Sequence, residues 1–165
     1  MAHTNQASVL TKQDATPAVK VGPVEQNGSL RSAYGYMTLT PATAGQTNAF
    51  VRVPVRASVR GLYPHMASMG NGSVKIGLFR PNDGIAIDDD CFTTAMALTA
   101  KTGSNVMDAV SPANLALDIA SAFSTAISTA GATEDTHVDI VMSVVTVSTG
   151  AATAVGLEVR YVSPE

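Results

Sequence analysis

The chain has 165 residues, a formal net charge of −3, 45% hydrophobic residues and only 14% charged residues. This length suits a single hydrophobic core, and the charged fraction, below the roughly 25% of typical soluble chains, favours a subunit that buries much of its outside against copies of itself. A lone cysteine, Cys91, excludes an internal disulfide and a multi-cysteine metal site, and the chain has no run of about 18 apolar residues that would predict a membrane span.

The N-terminal part predicts an arm followed by a hairpin. Residues 1–17 are polar and lack a clear period, so we interpret them as an arm that precedes one β-rich domain, residues 18–165. They show neither a basic nor an apolar signal region, and we therefore expect synthesis in a cytoplasm. The stretches AVKVGPV and SLRSAYGYMTLTP flank Asn27 and Gly28, a dipeptide typical of hairpin turns, which predicts an N-terminal β-hairpin.

The stretch FVRVPVRASVR, residues 50–60, alternates apolar and polar positions. This period predicts a strand whose valines enter the core while its arginines form a row on the other face. The arginines either pair with acids on neighbouring strands or form a phosphate-binding face, for which Tyr34, Tyr36 and Phe79 are candidate base-stacking residues. The candidate nucleic-acid-binding residues are Arg31, Arg52, Arg56, Arg60 and Lys75.

Two further strands are predicted around an acidic loop. SVKIGLFRP alternates in the same way as the arginine stretch, NDGIAIDDD is predicted to be a loop, and CFTTAMALTAK is predicted to be a strand, although its Ala and Met content also suits a helix. Carboxylates in this loop could bind Ca²⁺ at a subunit contact, or the loop could be a solvated acidic turn. Because the spacing of the acids does not match an EF-hand, we predict no metal site. The candidate metal ligands are Asp88, Asp89 and Asp90.

The C-terminal third predicts one helix and two strands. An amphipathic helix is expected at about residues 112–128, with Ser111 as its N-cap, Pro112 at the first helical position and an apolar stripe that includes Phe123. HVDIVMSVVTV is apolar on both faces, which is typical of a central strand. With AVGLEVRYV it predicts a C-terminal hairpin.

The residue pattern contains no catalytic constellation. His3, His65 and His137 belong to no nucleophile or metal spacing, so we predict no catalytic residue, no cofactor and no enzymatic activity. The charge is unevenly divided, because residues 1–80 carry eight cations and two anions, a net of +6, whereas residues 81–165 carry a net of −9. Such a division indicates either a basic face for a polyanion or complementary faces that meet between subunits.

Two families of phage protein resemble this chain. The run DATPAVKVGPVEQNG, Asp14 to Gly28, followed by strands, resembles the opening of the coat proteins of single-stranded RNA phages. That resemblance implies interlocked dimers and an inner sheet face that meets RNA, with Arg52, Arg56 and Arg60 on it. The small-residue-rich β-pattern after an extended arm is also similar to head decoration, or cement, proteins of tailed phages, which implies that the arginines meet an acidic capsid surface.

These observations predict an α+β fold dominated by antiparallel sheet, with an N-terminal hairpin, one amphipathic helix at about 112–128 and a C-terminal hairpin. The favoured function is that of a self-assembling phage coat subunit in the virion, partnered by copies of itself and by packaged nucleic acid, without a membrane. A decoration protein that binds a major capsid protein is one alternative. A non-viral β-rich binding module is the other.

Overall fold

The computed structural model describes residues 5–6, 30–40, 43–110, 114, 117–148 and 150–163. The strands and helices within these residues are β1 (Asn5–Gln6), β2 (Leu30–Leu39), β3 (Thr47–Pro54), β4 (Ser58–Met66), β5 (Ser73–Phe79), β6 (Ala86–Ala97), β7 (Lys101–Thr102), α1 (Ile119–Ala122), α2 (Ser124–Thr129), β8 (His137–Thr146) and β9 (Thr153–Val162).

The strands form two sheets that share one hydrophobic core. One sheet has five strands in the order β1-β3-β8-β5-β6, and the other has four in the order β2-β9-β4-β7. Each sheet contributes its inward-facing residues to a single buried cluster, including Phe50 and Ile140 from the first and Leu62 and Leu157 from the second. All pairings except that of β1 with β3 are antiparallel, so the predicted β-dominated α+β fold is confirmed.

The stretch of residues 50–60 is not one strand, and this part of the prediction is wrong. It contains the end of β3, a turn at residues 55–57 and the start of β4, and the two strands belong to different sheets. Pro54 ends β3, and the Ala57 N–H donates to its carbonyl over 2.9 Å to close the turn. The predicted apolar positions are nevertheless correct at Val51, Val53 and Val59, which are buried in the shared core.

The predicted C-terminal hairpin is also wrong. β8 lies in the middle of the five-stranded sheet between β3 and β5, whereas β9 lies between β2 and β4 in the other sheet. The residues of β8 explain its place, because seven consecutive positions from Val138 to Val144 are buried, as expected for a strand covered on both faces. In β9, Val155, Leu157 and Val159 are buried whereas Glu158 and Arg160 are more exposed, so this strand suits a sheet with a solvent-facing side.

The helix predicted at 112–128 is shorter in the structure and is interrupted between α1 and α2. Asp118 is extended and acts as the N-cap of α1, since its carboxylate accepts from the Ser121 N–H over 2.7 Å. The N–H groups of Ile119 and Ala120 donate to the 55–57 turn, which anchors the start of the helix there. The predicted cap Ser111 and Pro112 lie outside the described residues. In the described part of the chain, no helix is both long and apolar enough to cross a membrane.

The N-terminal predictions are only partly within the described residues. β1 pairs in parallel with β3, with Asn5 opposite Asn48 and Gln6 opposite Ala49. The first strand of the predicted hairpin and its turn at Asn27 and Gly28 lie outside the described residues, and β2 pairs with β9. The division into an arm, residues 1–17, and a domain, residues 18–165, stays a prediction.

Candidate functional site

The three arginines of residues 50–60 lie on three different elements rather than in one row. Arg52 is on β3, Arg56 is in the 55–57 turn with a side chain that is 70% exposed, and Arg60 is on β4. Arg60 is the extra residue of a β-bulge, because the pairing with β9 shifts between Val59 and Gly61. The prediction that the arginines form a single phosphate-binding row along one strand is therefore wrong.

Arg52 forms a bidentate ion pair with a buried acid. Its Nε lies 2.7 Å from Oδ1 of Asp139 and its Nη2 lies 3.2 Å from Oδ2, across the β3–β8 pair. The Asp139 side chain is 0% exposed, so the guanidinium neutralises a carboxylate that has no access to solvent. This contact matches the alternative in which the arginines pair with acids on neighbouring strands.

Arg56 and Lys75 also have carboxylate partners. Nη1 of Arg56 lies 3.6 Å from Oδ2 of Asp118. Burial opposes ionisation of Asp118, but the hydrogen bonds from Ser121 and the nearby Arg56 outweigh burial and lower its pKa. Nζ of Lys75, on β5, lies 2.5 Å from Oδ2 of Asp89 on β6.

Lys75 and Arg31 do not extend a common row. β5 and β3 lie on opposite sides of β8, and Arg31 is on β2 in the other sheet, opposite Tyr161. Of the aromatic candidates, Phe79 is buried with Ala49 and Val141, whereas Tyr34 and Tyr36 are exposed. The nucleic-acid-binding role of the five predicted cations stays a prediction.

That role is testable at the two most exposed positions. We expect Arg56→Gln combined with Arg60→Gln to reduce the slope of log affinity for a single-stranded oligonucleotide against log salt by about 1.4 units, since each of the two lost phosphate contacts removes roughly 0.7. Fluorescence anisotropy over a salt series measures this slope. Arg160→Gln, which removes a cation outside the predicted set, is the control, and an unchanged slope in the double variant contradicts the prediction.

The aspartates 88–90 lie within a strand, so the predicted acidic loop is wrong. They occupy the first half of β6, at the edge of the five-stranded sheet, where charged side chains discourage pairing with another strand.

Asp88 and Asp90 line a cleft of about 500 Å³ between β6 and the helices, together with Cys91 and Phe123. Burial, and next the Asp88 carboxylate, raise the pKa of the Cys91 thiol well above its ordinary value. Among the described residues, no group of three or more acidic, His or Cys side chains is arranged to hold a metal ion.

Ionisation of Asp88 is expected to destabilise the fold. Burial, together with the neighbouring Asp90 and Asp89, raises its pKa above the ordinary 3.8. The folded state therefore binds this proton more tightly than the unfolded state does. The extra free energy of unfolding that the bound proton provides is fully present below pH 3.8 and is lost as the pH rises through the pKa of Asp88 in the folded state. We expect Asp88→Asn to raise the free energy of unfolding at neutral pH by up to about 0.5 kcal/mol, a value limited by solvent screening, and to have no effect at about pH 3.

Thermal melts at both pH values measure this difference. Glu134→Gln, which removes the same charge from an exposed residue, should have the smaller effect at neutral pH. A larger gain from Asp88→Asn at low pH than at neutral pH would contradict the assignment.

The outer face of the four-stranded sheet carries a group of aromatic and charged side chains that we call the tyrosine face. Pairing across β2, β9 and β4 aligns them in three rows, because residues directly opposite one another share a face. The rows are Ser32, Arg160 and Gly61; Tyr34, Glu158 and Tyr63; and Tyr36, Gly156 and His65.

Contacts within the tyrosine face hold its side chains in place. The Arg160 guanidinium lies over the Tyr63 ring at 4.4 Å from the centroid, and its Nε is 2.7 Å from Oε1 of Glu158. The hydrogen bond from Arg160 lowers the pKa of Glu158 despite the opposing effect of burial. The ring of Tyr34 meets His65 edge-on, with centroids 6.2 Å apart.

Glycine at position 156 allows Tyr34 to lie against the sheet. A Cβ at Gly156 would come within 1.9 Å of the Tyr34 hydroxyl, so any other residue there would displace the ring. Tyr34 and Tyr36 nonetheless remain 51% and 58% exposed. The result is a surface of side chains that contact one another and expose aromatic rings, a composition enriched in protein interfaces.

Sequence reasoning identified Tyr34 and Tyr36 but missed the rest of the tyrosine face. Each strand shows the signal as a pair of residues two apart, such as Tyr63 with His65 and Glu158 with Arg160. The three pairs are far apart in the sequence, so only the strand order joins them.

The strands of the two sheets differ in net charge, although each sheet combines strands from both halves of the sequence. The strands of the four-stranded sheet carry four cations and one anion, a net of +3. Those of the five-stranded sheet carry two cations and four anions, a net of −2, and both cations, Arg52 and Lys75, are paired with acids of the same sheet. The strands of the two sheets therefore carry net charges of opposite sign.

Comparison with known proteins identifies similar structures but no sequence family. No protein-family model and no curated protein matches the sequence. A chain from the capsid of Ralstonia phage GP4 is similar over 97% of both chains, with a TM-score of 0.67 and 16% identity. A chain from the cyanophage Pam1 capsid covers 92% of this chain and 97% of its own length, with a TM-score of 0.47 and 14% identity. The GP4 likeness shows a shared fold.

Proposed function

We propose that this protein is a structural, non-enzymatic component of a bacteriophage capsid. The observation that carries the proposal is the likeness to a chain of the Ralstonia phage GP4 capsid over 97% of both chains. Because nearly the whole of each chain aligns, the likeness concerns a complete arrangement of two sheets rather than a common fragment. The virion is the corresponding location, and the partners are copies of this chain or other capsid proteins.

The distribution of charge supports a protein partner. Arg52, Arg56 and Lys75 already contact carboxylates, which reduces the positive potential they offer to a nucleic acid. The opposite charges of the two sheets and the exposed rings of the tyrosine face are properties that suit contacts between subunits.

Antibodies against the purified protein test the capsid role. We expect them to label intact virions of the phage that encodes the chain, and we expect mass spectrometry to find the protein in gradient-purified particles. Detection only in the lysate of infected cells, with none in purified virions, would overturn the proposal.

Expression of the chain alone separates the two capsid roles. A coat subunit is expected to form closed shells by itself, visible by electron microscopy. A decoration protein is expected to stay soluble as small species and to bind shells built by a major capsid protein. We propose the coat role as the first candidate and the decoration role as the alternative.

A further inference from the structure

We propose that Asn71 is a site of spontaneous deamidation, at which the folded protein slowly converts this asparagine into aspartate and isoaspartate. The reaction needs no enzyme and no partner, because water and the backbone of the chain supply the reacting groups. The inference goes beyond the proposed capsid role and does not depend on it, since it concerns the covalent chemistry of the purified chain.

Asn71 lies in an exposed bend between β4 and β5. It follows Gly70, which has a φ of +92°, and it precedes Gly72, the last residue before β5. Among the described residues, no hydrogen bond restrains the side-chain amide of Asn71. Its carbonyl carbon is therefore accessible to solvent and can turn toward the backbone that follows.

Gly72 supplies the attacking atom. Its backbone nitrogen loses a proton to solvent and attacks the side-chain carbonyl carbon of Asn71, so that a new C–N bond closes a succinimide ring. The bond to the side-chain nitrogen breaks, and this nitrogen takes up a proton and leaves as ammonia. Water then opens the ring at either carbonyl, which gives aspartate or isoaspartate. One water is consumed, one ammonia is released, and nothing is oxidised or reduced. The attack is favoured because both reacting atoms belong to adjacent residues.

Glycine is the following residue that hinders this attack least. It has no side chain beside its own nitrogen, and it allows the backbone a wide range of conformations. In the sequence, glycine follows the asparagines Asn27 and Asn71, and Asn27 lies outside the described residues. A Cβ at Gly72 would come within 2.8 Å of both Leu98 Cδ1 and Ser148 Cβ. The packing therefore opposes a bulkier residue that would slow the reaction.

Asn105 provides a comparison within the same chain. It is also exposed, but its Oδ1 accepts hydrogen bonds from the N–H groups of Leu62 and Met107 over 3.1 and 3.3 Å. These bonds hold the amide in place. The next residue is Val106, whose branched side chain crowds the nitrogen that would have to attack. The two sites therefore share exposure and differ in the freedom of the amide and in access to it.

The isoaspartyl product should disturb the start of β5. An isoaspartyl linkage adds a methylene group to the backbone, and it does so two residues before Ser73, where β5 begins to pair with both β6 and β8. The Leu98 N–H also donates to the Gly72 carbonyl over 2.9 Å. A longer backbone at Asn71 displaces these groups relative to one another, so we expect the isoaspartyl chain to be less stable.

Timed incubation of the purified, folded protein at mildly alkaline pH tests the proposal, because this pH favours loss of the proton from the attacking nitrogen. Tryptic mapping by mass spectrometry separates residues 61–75, which contain Asn71, from the peptide that contains Asn105. We expect aspartate and isoaspartate to accumulate at Asn71 at least about tenfold faster than at Asn105, which corresponds to about 1.4 kcal/mol in the activation barrier. Labelling by an isoaspartate-specific methyltransferase identifies the isoaspartyl product.

Asn71→Gln is the matched variant, because its longer side chain would have to close a larger and less favourable ring. It should remove the product from residues 61–75 and leave the other peptides unchanged, and circular dichroism verifies that it is folded. Equal rates at Asn71 and Asn105 in the wild-type protein would overturn the proposal. Protein enriched in isoaspartate should also melt at a lower temperature than Asn71→Asp, which gains the carboxylate without the methylene. Equal melting temperatures would overturn the inferred effect on β5.

Discussion

Replacing Asp139 with alanine is expected to lower the free energy of unfolding by about 3 to 5 kcal/mol. The Asp139 side chain is 0% exposed and receives two hydrogen bonds from Arg52, at 2.7 and 3.2 Å. Its removal leaves a largely buried guanidinium on β3 without this counter-charge, next to the central strand of the five-stranded sheet. The buried guanidinium that loses this carboxylate, rather than the lost attraction itself, supplies most of the cost. Urea unfolding measures the change in midpoint at constant slope.

Two matched variants separate burial from charge in this prediction. Arg56→Ala removes an arginine whose pair with Asp118 is exposed to solvent, and it should cost less than about 1 kcal/mol. Replacing Arg52 and Asp139 together with methionine and leucine should recover much of the loss, since no unpaired charge then stays in the sheet. A loss below 1 kcal/mol for Asp139→Ala, or no recovery in the double variant, would contradict the role of the buried pair.

Replacing Phe50 with alanine is expected to cost about 3 to 5 kcal/mol, because a large aromatic side chain is removed from a fully buried site. Phe50 is 0% exposed and belongs to the core shared by both sheets. A β-bulge in β3 puts it there: Ala49 pairs with Val141 and Val51 with Ile140, so Phe50 is the extra residue. Phe50 and Val51 therefore both enter the core although they are adjacent in sequence. Chemical denaturation measures the loss.

Phe123→Ala is the matched control for Phe50→Ala. Phe123 lies between α1 and α2, is only partly buried and meets Phe92 edge-on with centroids 6.0 Å apart. The same change of side chain should therefore cost less there than at Phe50. Equal losses at the two sites would show that burial in the shared core does not set the cost.

The acidic strand and the tyrosine face show why the candidate site was only partly predictable. Local spacing indicated that Tyr34 and Tyr36 share one side of a strand. It could not show that Glu158 lies between Tyr34 and Tyr63, since that depends on β9 pairing with both β2 and β4. For the same reason, the sequence could not show which residue pairs with Arg52, because Asp139 is 87 residues away in the chain.

The sequence alone determined that the protein is dominated by strands and which alternating apolar positions of those strands enter the core. Alternation of apolar residues is a local property of the chain, so Val51, Val53 and Val59 were correctly expected in the core even though a turn separates them. Only the tertiary structure decided which sheet each strand joins. An alternating strand can pair with any other, and the choice depends on contacts distant in sequence. The division of the arginines between two sheets, the separation of β8 from β9 and the assembly of the tyrosine face all follow from that choice.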